Sequence, residues 1–232
     1  MEKFNRNFEL IIFGNPDGRY YQYPRAHEEQ VKKFARNRQN TTQLLLCREQ
    51  RIVYYAYLRR LNGNEDKYFG ICLIFNKVYC NDISNLYAFF DQIYDTILQK
   101  GKWLINQNEQ VVVEMHDLKD LKGQKAEIED FIDKKLKELD SNFIEIKDNT
   151  FRHVESCDVF EQININIGNL AILKQWEYHP SLCISRPEDV PVHGKRNSAT
   201  ISNDNDNWLT ILCVIAVLVT FVLIGVFVKS CI

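Results

Sequence analysis

From Trp208 to Val228 the chain reads WLTILCVIAVLVTFVLIGVFV, without one charged side chain. A bilayer span needs about 20 apolar residues, because the hydrocarbon core is about 30 Å thick and a helix rises about 1.5 Å per residue. A helix in the core of an aqueous domain keeps a polar face, whereas this stretch is apolar all round. In lipid its backbone can satisfy its own polar groups only as a helix. Trp208 and Lys229 flank it, as amphipathic interface anchors do. The stretch is therefore expected to be a transmembrane helix over 208–228, followed by a short tail at 229–232.

So little chain after the span implies post-translational insertion, the mark of a tail anchor. Lys195 and Arg196 precede the span and favour a cytoplasmic location for that flank. Between domain and span, residues 180–207 hold three of the five prolines (Pro180, Pro187 and Pro191) and the polar run SATISNDNDN. That composition predicts a flexible polar linker. Thr210, Ala216, Thr220 and Gly225 offer small side chains for helix–helix contact, through which the chain could self-associate.

The remaining residues, 1–179, suffice for a cytosolic domain with its own core; any division into subdomains would fall near 117–124. Seven cysteines, an odd number without any C-x-x-C pair, argue against a disulfide framework and for a reducing compartment. The first part of the domain alternates strand and turn signals. Phe8–Phe13 is strand-like, Asn15-Pro16-Asp17-Gly18 is a turn, and Arg19–Tyr23 returns. Ala26–Arg38 reads as a short basic helix with Val31 and Phe34 inward. Three β-rich runs follow at Thr42–Cys47, Ile52–Leu58 and Tyr68–Phe75.

Asn81 or Asp82 then caps a helix in which Ile83, Leu86, Phe89, Phe90, Ile93, Ile97 and Leu98 recur at helical spacing up to Lys100-Gly101. Trp103–Ile105 and Gln110–Met115 suggest a hairpin, and Gln124–Leu139 a second amphipathic helix. Phe143–Ile146 suggests a strand. Ile163, Ile165 and Ile167 alternate like a half-buried strand, while Leu170–Tyr178 fits either period. The predicted class is α+β: a mostly antiparallel sheet with two or more packed amphipathic helices, plus the C-terminal transmembrane helix. The order of elements up to Gly101 resembles profilin-like or longin-like sandwiches, which implies helices on both faces of the sheet and nothing about function.

Motifs for catalysis are absent: there is no P-loop, G-x-G-x-x-G, G-x-S-x-G or H-E-x-x-H. Glu114-Met115-His116-Asp117 would need a third ligand from elsewhere to hold a metal. His153, Glu155, Cys157 and Asp158 lack the local context of a Cys–His nucleophile. No catalytic residue, metal site or cofactor is implied. Charge is more informative, since residues 1–60 carry 12 Lys and Arg against 6 Asp and Glu in a chain of net charge −2. Arg36, Arg38, Arg59 and Arg60 are the candidate contacts for an anionic partner, either nucleic acid or anionic lipid. Besides an enzyme with an unfamiliar site, two functions stay open. One is a tail-anchored, non-enzymatic binding or regulatory module for protein partners or self-association. The other is a membrane effector responsive to nucleic acid or anionic lipid that oligomerises through its span.

Overall fold

The computed structural model describes residues 7–15, 18–38, 41–61, 64–100, 118–147, 150–151 and 159–186. Two units divide the chain, Met1–Val190 and Pro191–Ile232, and every described residue belongs to the first. The expected span with Trp208 and Lys229, most of the linker, and the hairpin expected between 103 and 115 lie outside the described residues. Among the described residues, no helix is long and apolar enough to cross a membrane.

The first unit is α+β. Its seven-stranded sheet uses β1 (Phe8–Gly14), β2 (Tyr21–Tyr23), β3 (Gln43–Glu49), β4 (Ile52–Leu61), β5 (Asn64–Asn76), β8 (Glu161–Asn164) and β9 (Ser181–Ser185). They lie in the order β2-β1-β5-β4-β3-β9-β8, and β6 (Val78–Cys80) pairs with β7 (Phe143–Glu145) in a separate ribbon. All pairs are antiparallel except β8 with β9, which a helix connects, as parallel neighbours require. The helices are α1 (Glu28–Arg36), α2 (Ile83–Lys100), α3 (Leu118–Leu136) and α4 (Asn169–Tyr178).

Alternation along the strands sends side chains to two cores. Leu10, Ile12, Leu44, Leu46, Tyr55 and Tyr57 join Ile83, Phe90 and Ile93 of α2, Ile128 and Ile132 of α3, and Ile172 and Trp176 of α4. On the other face Ile11, Phe13, Leu45, Tyr54, Ala56 and Cys72 pack against Val31 and Phe34 of α1. Gly70 lets this second core close. It faces Phe13 across the β1–β5 pair, and an added Cβ would come within 2.6 Å of the Phe13 ring.

The cap expected for α2 is present: Asp82 Oδ1 accepts from the Asn85 backbone N–H at 3.0 Å. Asn169 joins the starts of two helices, with its Oδ1 accepting from Ile83 N–H and its Nδ2 donating to the Asn81 carbonyl, both at 2.7 Å. The buried Tyr55 hydroxyl accepts from Cys80 N–H at 2.8 Å, fixing β6 to β4.

Three features depart from the sequence reading. The ribbon strand β6 adds an element before α2. The alternation at Ile163–Ile167 stops as a strand at Asn164, whose side chain accepts from Asn166 N–H and bends Ile165–Ile167 into a 3-10 turn. The sheet also continues into the stretch expected to be linker. Ser181–Ser185 is β9, with Leu182, Cys183 and Ile184 fully buried. Its pairing with β3 satisfies the backbone groups that a linker would leave to water. The folded unit therefore runs on to Arg186, whose guanidinium reaches Asp91 of α2 at 2.5 Å and stacks on Tyr87.

Candidate functional site

The four arginines singled out by charge do not form one patch. Arg59 and Arg60 are sequence neighbours on β4, so their side chains leave opposite faces of the sheet. Arg59 turns to α2, where it meets Asp95 at 3.1 Å and lies 4.8 Å over the Tyr94 ring. Arg60 is the direct cross-strand partner of Tyr68 on β5, on the α1 face. Arg38, just beyond α1, stacks over the same ring at 5.0 Å and donates to the Ala35 carbonyl at 3.0 Å. Arg36 is exposed in the last turn of α1. The structure thus places Arg38 over the Tyr68 ring and Arg60 opposite Tyr68 in the β4–β5 pair, leaves Arg36 on the same helix end, and removes Arg59 to the other side. Burial raises the Tyr68 phenol above its ordinary range while the charge of Arg38 pulls it down, so Tyr68 stays a neutral platform.

A second constellation lies on the same face, at the opposite end of α1. Glu9 leaves β1 toward α1, beside Ile74 in the β1–β5 register. His27 is the N-cap of α1, and Tyr54 comes from near the start of β4. His27 Nε2 is 3.5 Å from Glu9 Oε2, and its Nδ1 is 3.1 Å from the Tyr54 hydroxyl. A neutral imidazole fits if Tyr54 donates to Nδ1 and Nε2–H points at Glu9. The rings of His27 and Tyr54 meet edge to face at 5.5 Å.

The backbone makes an unusual concession here. His27 has φ 51 and ψ 35, the left-handed region, and its side chain gives α1 no cap hydrogen bond. A Ser or Asp in ordinary geometry would cap the helix better. The imidazole is spent instead on Glu9 and Tyr54. Beneath it lies a hollow of about 230 Å³ lined by Asn7, Phe8, Glu9, His27, Ile52, Ile74 and Asn76.

No protein-family model, curated protein or solved structure matches this chain.

Cys47 is the cross-strand partner of Tyr54 and lies in the core on this face of the sheet. Burial pushes its thiol up to about 11, and its sulfur accepts from Ser181 Oγ at 3.5 Å. A buried neutral thiol is a small hydrophobe, not a nucleophile. The Tyr54 phenol is likewise raised, first by burial and then by the negative charge of Glu49.

The sequence reading passed over this site because Glu9, His27 and Tyr54 come from three separate elements. No single-residue signal marked it, since Glu9 is an exposed acid on an otherwise apolar strand. His116 and Glu114, and likewise His153, Glu155, Cys157 and Asp158, lie outside the described residues. Among the described residues no group of His, Cys, Asp and Glu is arranged to hold a metal.

Proposed function

We propose that this chain is a tail-anchored, single-pass membrane protein whose cytosolic domain is a non-enzymatic binding module. The observation that carries the reading is the uncharged Trp208–Val228 stretch, preceded in sequence by a polar segment. Membrane tethering raises the effective concentration of a weak binder for partners on the same membrane. The test is fractionation of the full chain beside a variant ending at Asn207. The full chain should resist alkaline carbonate extraction and the truncated chain should be released. A full chain that washes off the membrane would refute the anchor.

The Tyr68-centred pair of Arg38 and Arg60 favours a second reading, in which the partner is anionic lipid or nucleic acid and the tail assembles the chains. Such binding weakens steeply with salt. The Arg38→Ala and Arg60→Ala exchanges should reduce binding to phosphatidylserine vesicles or RNA, while Arg59→Ala, whose charge is already met by Asp95, should not. Equal losses from all three exchanges would refute this assignment of the surface.

A further inference from the structure

We propose that the hollow under Glu9 and His27 is a binding site for a primary ammonium group on a short aliphatic chain, the chemistry of a free alkylamine or a lysine side chain. This deepens the binding-module reading and rests on it.

Size comes first. Pockets for drug-sized ligands are about 300–1,000 Å³, so a hollow of about 230 Å³ suits a single side-chain-sized group. Its walls divide cleanly in chemistry. Phe8, Ile52 and Ile74 are apolar and match an alkyl chain, while Asn7 and Asn76 place amide groups among them. Among the described residues of the lining, Glu9 supplies the carboxylate. Its side chain is 62% exposed, so an incoming group can reach it, while the His27 contact orients it. An ammonium would gain a charge-assisted hydrogen bond to that carboxylate and further bonds to amide oxygens.

Charge around the hollow points the same way. Glu49 is the cross-strand partner of Ile52, and Glu28 and Glu29 follow His27 in the first turn of α1. Lys32 already meets Glu28 at 2.6 Å. Arg51 and Lys77 occupy the turns next to Ile52 and Asn76, and both are exposed to solvent. A carboxylate ligand would confront Glu9 directly. A neutral alcohol would displace water from Glu9 without replacing its charge partner. The left-handed backbone of His27 gains a purpose in this reading, since it gives up the helix cap to hold Glu9 over the opening.

The test uses the full chain in nanodiscs, labelled at isoleucine δ1 methyls, because Ile52 and Ile74 report from inside the hollow. At neutral pH, n-butylammonium should shift both methyls saturably. Butanol should bind about tenfold more weakly or worse, a difference equal to one lost charged contact. Butyrate should leave the methyls unmoved. Glu9→Gln should weaken n-butylammonium by about tenfold or more. His27→Asn, which tolerates the left-handed backbone, should weaken it less while leaving distant methyls in place. Acetyl-lysine-methylamide separates the sources: binding with its main chain capped supports a lysine side chain of a partner, and its exclusion supports a free amine. No shift up to about 50 mM, equal binding of butanol or butyrate, or indifference to Glu9→Gln would overturn the proposal. None of these failures bears on carbonate extraction, so the membrane reading is tested separately.

Discussion

Arg48 offers the sharpest test of how the C-terminal part of the domain is held. It is a charged residue only 8% exposed, on the inward face of β3. Its Nε donates to the Trp176 carbonyl at 3.2 Å and its terminal nitrogen to the Glu177 carbonyl at 3.1 Å. Those carbonyls end α4, where a helix dipole welcomes a cation. The guanidinium also stacks 4.6 Å over the Phe151 ring. Replacing Arg48 by Met keeps the length and the apolar stem but removes both bonds. Hydrogen bonds to a charged group contribute about 1.5–3 kcal/mol each. Relief of the desolvation cost that lowers the Arg48 pKa returns part of that. The balance is a loss of about 2–4 kcal/mol, or roughly 4–16 °C in Tm for a chain of this size. Lys, a point charge able to serve one carbonyl, should fall between. Denaturant titration of the full chain in mild detergent measures the loss. Hydrogen exchange should show it concentrated in the last turn of α4 and in β9. Unchanged stability within about 0.5 kcal/mol for Arg48→Met, with α4 still protected, would refute the reasoning.

Gly70→Ala should cost about 1–3 kcal/mol by overpacking, because its methyl meets the Phe13 ring, and Phe13→Leu in the same chain should recover part of that in thermal melts. Tyr57→Phe should cost about 1–2 kcal/mol, since the Tyr57 hydroxyl donates to Asp91 and the exchange leaves that carboxylate to Arg186. Burial pushes the thiols of Cys47, Cys80 and Cys183 from an ordinary 9.0 to about 11, 12 and 12. Each is neutral in the fold and ionises more readily when unfolded. Their contribution is therefore complete below pH 9 and lost as pH rises through 11–12. Denaturation midpoints across that range should fall accordingly, and alkylation of these thiols at pH about 8 should be far slower in the native than in the unfolded chain.

Helix α2 was legible because its cap and its apolar period agree, and Val31 and Phe34 marked the inward face of α1 equally well. Strand β9 was hidden by its own burial. Leu182 and Ile184 enter one core and Cys183 the other, so no polar alternation marks it, and Pro180 and Pro187 bracket it like a linker. β8 was overextended because Asn164 turns the backbone while the isoleucine spacing continues. The parting of Arg59 from Arg60 follows from strand alternation and was available in the sequence once β4 was assigned through Leu61. The meeting of Glu9, His27 and Tyr54 was not, since it depends on β1, β4 and the start of α1 being assembled first.

The pairing of β9 with β3 sets an order on folding. β1 to β5 come from the first 76 residues and are joined largely by hairpins, whereas Cys47 must find Ser181, 134 residues away. Closing so long a loop is slow compared with forming local hairpins. During synthesis the seven-residue strand β3 therefore waits with one edge open, and such an edge is a template for other chains. A ribosome that stalls before residue 181 would release a domain with that edge still bare. For such a fragment aggregation, rather than simple loss of the last strand, is the expected fate.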